Sequence, residues 1–259
     1  MKKIWLSNYP DNVPSELSNS EFNSIPEIFK YASQKFSNII AFNNLGSNLS
    51  YKKTALLSNK FSAYLYNVLK IKKGDKVAVM LPNLLTFPIS FFGSLNIGAI
   101  VINVNPLFKS REVKSLLTDS NAETIVILDR FLNQLEPILN DTKIKNIIVC
   151  RPYDLLNYPM SLIVRTLLFF KSKSTKISNH YILFRDTIIH EEKFHQVSIS
   201  KNDVALLQYT GGTTGKSKAA VLTHHNLVSN IAQLQLWVDN LLLEGKEVII
   251  TALPMYHIF

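Results

Sequence analysis

Ten residues, Tyr209 to Lys218 (YTGGTTGKSK), gather three threonine hydroxyls, three glycines and two lysines between two apolar runs. That composition suits a polyphosphate. Glycines let backbone N–H groups approach an anion closely. Thr210, Thr213 and Thr214 can donate to phosphate oxygens or ligate Mg²⁺, and Lys216 or Lys218 supplies positive charge. A polar hairpin turn between two strands would use the same residue types, so composition alone leaves both readings open.

The common nucleotide-binding P-loop requires glycine, four residues, then Gly-Lys-Ser/Thr. Gly215-Lys216-Ser217 supplies the second half, but Thr210 stands where the first glycine belongs, and Gly211 leaves a gap of only three residues. A P-loop also opens directly into a helix whose N-terminus holds the phosphate. Here AAVLT (219–223) follows, a β-like run. A P-loop NTPase is therefore disfavoured, and its signature would be an ATPase lost on changing Lys216 rather than Lys218.

The elements around the loop read as α/β. A helix is expected from Pro26, with Ile28, Phe29, Ala32 and Phe36 inward. A second is expected over 52–69, with Leu57, Phe61, Tyr64, Leu65 and Val68 on one face, stopping before the turn KKGDK (72–76). Then come strand 77–81, helix 83–96, strand 99–104, helix 110–118, strand 124–128, helix 130–139 and strand 146–149. Residues 150–200 read as an irregular, basic excursion. Strand 203–209, the Gly/Thr loop, strand 219–223, a helix from 226 with Leu227, Ile231, Leu234 and Val238 on one face, and a strand over 247–253 complete the pattern. Strands alternating with helices predict a largely parallel sheet flanked by helices. There is no internal repeat and no low-complexity tract.

Bulk properties set bounds. With 47% hydrophobic and 18% charged residues in 259, the chain can bury a full core. One cysteine, Cys150, excludes an internal disulfide and favours a reducing compartment. The net charge of +9 favours anionic partners, but no nucleic-acid motif accompanies it, and no nucleic-acid partner is expected. His224 and His225 are adjacent, so their side chains diverge in regular structure, and no His/Cys metal site is expected.

Two apolar stretches bear on membranes. Residues 77–108 carry no charge, but Pro82, Asn83, Pro88, Asn96, Asn103 and Asn105 break them into strand, helix and strand, so a transmembrane reading is rejected. Residues 160–176 (MSLIVRTLLFFKSKSTK) join an apolar run to a basic end, and no acidic residue occurs from Leu155 to Phe184. This segment is either an interfacial membrane helix or a surface helix with its apolar face packed on the domain. The N-terminus lacks the apolar region of a signal peptide.

The loop YTGGTTGKSK, followed by AVLTHHNL and then TALPMYHIF, resembles the adenylate-forming superfamily, and within it the bacterial long-chain fatty-acid–CoA ligases. The resemblance extends through MKKIWLSNYPDNVP, KKGDKVAVMLPNLLTFP and GAIVINVNPLFKSREV, over the whole chain. It implies one partial N-terminal AMP-binding domain over 1–259, divided at about 1–149, 150–200 and 201–259, with a C-terminal domain absent. It also implies a reaction in which a fatty acid, ATP and coenzyme A give acyl-CoA, AMP and pyrophosphate through an acyl-adenylate.

By the same resemblance, Tyr209, Thr210, Gly211, Gly212, Thr213, Thr214, Gly215 and Lys218 form a lid over the ATP phosphates. Thr213 helps position Mg²⁺, and Tyr256 and His257 border the acyl pocket; for His257 a packing role at a strand end is the alternative. The catalytic lysine and the acidic Mg²⁺ motif are expected beyond Phe259. The chain is thus expected to be a truncated or split product, inactive alone, completed by a C-terminal fragment, or a non-catalytic membrane- or partner-binding remnant. A cytoplasmic location, peripheral on the inner membrane, follows. Ser217 and Ala219 depart from the proline and glycine common in the family. If residue 219 needs positive φ, alanine strains it and Ala219→Gly raises adenylation.

Overall fold

In the computed structural model, residues 3–11, 13–17, 20–171, 178, 180–189, 191, 193–210, 218–238 and 241–257 are described. A seven-stranded sheet runs through them in the order β7-β6-β5-β3-β4-β8-β9. Its strands are β3 (Lys76–Met80), β4 (Ile100–Asn103), β5 (Thr124–Leu128), β6 (Asn146–Cys150), β7 (Ile182–Leu183), β8 (Val204–Thr210) and β9 (Lys218–Thr223). All pairings are parallel except β8 with β9. A separate antiparallel ribbon joins β1 (Ile40–Asn44) to β2 (Ser47–Ser50). Val77 to Met80 and Thr124 to Leu128 are buried throughout, as strands covered on both faces must be.

Helices α1 (Ile25–Lys35), α2 (Tyr51–Ala63) and α3 (Thr86–Asn96) pack on one another. Helix α4 (Ser110–Ser120) packs with the short α5 (Leu132–Leu135). The chain leaves β3 toward β4 and then returns past β3 to β5, so right-handed crossovers put α3 and α4 on opposite faces.

Local chemistry sets the helix starts. Ser24 Oγ accepts from Glu27 N–H at 3.3 Å while Glu27 Oε2 accepts from Asn23 N–H at 2.7 Å, and Pro26 occupies the first turn. Ser50 Oγ caps α2 through Lys53 N–H at 3.1 Å. At the strand-entry turn, Asp75 Oδ2 accepts from Lys72 N–H at 2.7 Å and Gly74 takes φ +85°.

Several expectations need correction. The second helix ends in a π-helical turn, Tyr64–Val68, which rotates Val68 off the buried face into solvent. The helix expected over 130–139 is broken, with α5 flanked by 3₁₀ turns at Asp129–Phe131 and Glu136–Asp141, the second opened by Pro137. The excursion is more ordered than its composition suggests. Besides β7 it contains α6 (Met160–Lys171) and α7 (Phe184–Thr187), whose fully buried Phe184 lies 5.8 Å from Phe61, ring to ring.

Helix α8 (His224–Val238) buries His224 and Val228, while Ile231 and Leu234 of the expected inner face are exposed. No strand forms over 247–253; Val248, Ile249 and Ile250 are almost wholly exposed. β-rich composition becomes a strand only where a sheet edge offers pairing, and no described strand pairs with this segment.

Candidate functional site

The Gly/Thr loop closes an antiparallel hairpin. Thr210 ends β8 and pairs with Lys218, which opens β9, so these two exposed residues form the base of the loop. The expected strand after the loop is therefore present, and the helix a P-loop needs is not there. Gly211, Gly212, Thr213, Thr214, Gly215, Lys216 and Ser217 lie outside the described residues. Lys218 takes part in no ion pair among the described residues.

Tyr209 turns away from the loop. Its ring is buried, and its hydroxyl donates to Asp119 Oδ2 at 2.6 Å, near the end of α4. Burial, reinforced by that carboxylate, pushes the phenol well above its ordinary pKa. The side chain thus ties β8 to α4. Ala219 sits opposite Tyr209 in regular strand pairing and is not among the positive-φ residues. The strain expected of alanine at 219 is absent, because an extended backbone suits any L-residue.

Because β3, β4 and β8 are mutually parallel, the segments that follow them emerge at one carboxyl edge of the sheet. That edge is where open α/β sheets bind ligands. Beside the loop strand, Asn103 Nδ2 of β4 donates to Gln208 Oε1 of β8 at 3.2 Å.

Asn83, just past β3, grips the chain around Met255. Its Nδ2 donates to Thr251 O at 3.0 Å and Leu253 O at 2.9 Å, and its Oδ1 accepts from Met255 N–H at 2.8 Å. Asn44 Nδ2 in turn donates to Asn83 O at 3.1 Å. The clamp holds the segment before Tyr256 and His257 beside the carboxyl end of β3, which lies two strands from β8 and three from β9 in the sheet. Tyr256 is buried, its ring 5.2 Å from the exposed His257 ring. In the sequence Asn83 stands out only as a residue interrupting an apolar run. The one signal available was an amide directly after a buried strand and Pro82, at the edge where ligands bind.

Further along the edge, beyond β6, buried Asp154 accepts from Arg151 N–H at 2.7 Å and from Arg185 Nε at 2.7 Å. Burial still raises its carboxyl above the usual range, despite the guanidinium. These contacts bind α7 to the end of β6 and are structural. Cys150 is buried, and burial pushes its thiol well up, so it is not a nucleophile. His224 is buried and His225 exposed, so the pair diverges as expected. Among the described residues no group of three or more His, Cys, Asp or Glu could hold a metal, and Thr213 lies outside them.

Comparison with known proteins bears on the family and the fold. The family model described as AMP-binding enzyme matches residues 29–259. A long-chain-fatty-acid–CoA ligase of Salmonella typhimurium is 39% identical over 100% of this chain and 47% of its own length. One from Bacillus subtilis is 29% identical, over 100% and 46%. This chain therefore spans about half the length of the curated relatives it matches. Among solved structures, a long-chain-fatty-acid–CoA ligase from Archaeoglobus fulgidus superposes with a TM-score of 0.73 at 23% identity, covering 96% of this chain and 45% of that one. A putative long-chain-fatty-acid CoA ligase from Rhodopseudomonas palustris gives 0.73 at 19%, over 92% and 53%. With a hairpin-borne Gly/Thr loop at the carboxyl edge and a family match over most of its length, this chain belongs to the AMP-binding enzyme family.

Proposed function

We propose that this chain supplies the first half of a long-chain fatty-acid–CoA ligase, which joins a fatty-acid carboxylate to AMP with release of pyrophosphate and passes the acyl group to coenzyme A. The observation that carries this reading is the β8–β9 hairpin, with Thr210 and Lys218 at the base of a Gly/Thr loop, in a chain 39% identical to such a ligase.

In-line attack of a carboxylate on the α-phosphate needs no protein nucleophile; it needs positioning and neutralisation of charge. Lys218 supplies a cation beside the phosphates, while the Thr210 hydroxyl and the loop amides donate to phosphate oxygens. Mg²⁺ entering with ATP would offset further phosphate charge, with the Thr213 hydroxyl as one ligand. Tyr256 and His257 border the acyl group, held by the Asn83 clamp. The rest of the ligase is required for turnover, in the same polypeptide or as a complementing fragment, since this chain spans 47% of its relative.

We also propose that the protein works in the cytoplasm, in peripheral contact with the membrane. A single buried cysteine fits a reducing compartment. No described helix is long and apolar enough to cross a membrane.

Pyrophosphate exchange with oleate tests the ligase reading. The 259-residue chain alone is expected to give no exchange, and a fusion to the C-terminal half of the Salmonella typhimurium relative is expected to give it. In that fusion Lys218→Ala should lower exchange by roughly 100-fold, as loss of one charge-stabilising donor does, and Lys216→Ala by much less. Oleate-independent ATPase lost with Lys216 instead would overturn the reading.

A further inference from the structure

We propose that helix α6 is the element that docks this protein on membranes, lying in the interface of a bilayer rich in anionic lipid. The inference deepens the membrane contact proposed above and rests on it. The root of the helix is tied to the body, where Asn157 N–H donates to the buried Ser47 Oγ at 2.9 Å and Leu155 and Leu156 pack on the core. Beyond that root the helix is unlike an ordinary surface helix. Met160, Val164 and Leu168, four residues apart, are half-buried. The opposite side, where charged residues belong, presents Leu162, Ile163, Thr166, Phe169 and Phe170, all exposed, with Arg165 as its one charge. Phe169 and Phe170 are 75% and 81% accessible. One apolar row is thus partly covered, while a second apolar side is left exposed.

Length and charge name the occupant. Twelve residues extend about 18 Å, well short of the ~30 Å hydrocarbon layer, so the helix can lie in the interface but not cross. Arg165 flanks the apolar side, and Lys171, Lys173 and Lys176 follow in sequence, with no acidic residue from Leu155 to Phe184. An apolar face that carries the exposed Arg165, in a segment whose sequence holds cations and no acidic residue, fits an anionic lipid surface rather than a neutral protein groove.

The test uses the whole chain with vesicles of phosphatidylcholine alone or with one third phosphatidylglycerol, read by flotation. Expected are preferential partition onto the anionic vesicles and a loss of at least tenfold for Phe169→Ser/Phe170→Ser. Arg165→Glu should lower anionic binding about fivefold or more, since each cation at such a surface counts for about that factor. Ile189→Ser, an exposed apolar change outside α6, should bind like the wild type. Phe170→Trp should add fluorescence quenched by brominated lipid. If the wild type binds but the α6 variants bind equally well, α6 is not the docking element and membrane contact survives. If the wild type binds neither vesicle, both ideas fall, and pyrophosphate exchange by the fusion decides the ligase reading separately.

Discussion

The Oδ1 of Asn83 accepts a hydrogen bond from Met255 N–H at 2.8 Å, across 172 residues of sequence. With the two Nδ2 bonds to Thr251 and Leu253, one amide holds a segment that pairs with no described strand. Asn83→Leu should cost about 1–3 kcal/mol, because it leaves backbone groups without partners. It should also speed hydrogen exchange at the Met255 amide. Unchanged exchange there would show that the clamp is dispensable.

Helix α1 is capped at long range, with Ile25 N–H donating to His224 Nδ1 at 3.3 Å. The bond requires neutral imidazole. Burial lowers the His224 pKa below 6.5; Asp203 and Glu27 oppose the shift and Lys73 adds to it. A depressed folded pKa means that the unfolded chain takes up the proton first. The His224 contribution is therefore complete above pH 6.5 and shrinks as pH falls from there through the lower folded value. The stability difference between wild type and His224→Leu should narrow from pH 8 to pH 5 in urea melts. Other groups cancel in that difference, and a constant gap would sink the idea.

Tyr209 separates scaffold from site. Tyr209→Phe removes the bond to Asp119 and should cost about 1 kcal/mol. In the ligase fusion described above, it should leave pyrophosphate exchange unchanged at temperatures where the fold is intact. A large loss of exchange would mean that the phenol reaches the nucleotide.

Helices α2 and α3 meet at Gly93, whose carbonyl accepts from Ser62 Oγ at 2.8 Å. A Cβ there would lie 2.7 Å from Phe61 Cδ1 and 2.9 Å from Ser58 O. Gly93→Ala should destabilise by about 1–3 kcal/mol through overpacking. Part of that loss should return in combination with Phe61→Leu, since neighbours are not additive. Simple additivity would place the strain elsewhere.

The sequence alone determined what depends on local pattern and motif. Buried parallel strands such as Val77–Met80 announce themselves as unbroken apolar runs, because covered faces leave no polar alternation. The Gly/Thr loop excluded a P-loop by a spacing one residue short and by the β-like AAVLT after it. Tertiary structure decided what depends on long-range partners. No local signal could assign Tyr209 to Asp119, His224 to Ile25, or Asn83 to Met255, since each pair is brought together only when distant elements dock. Nor could composition reveal that 247–253 forms no strand, or that α6 leaves an apolar side exposed. β-propensity and hydrophobicity say what a segment can bury, and only the assembled fold settles whether a partner is there to bury it.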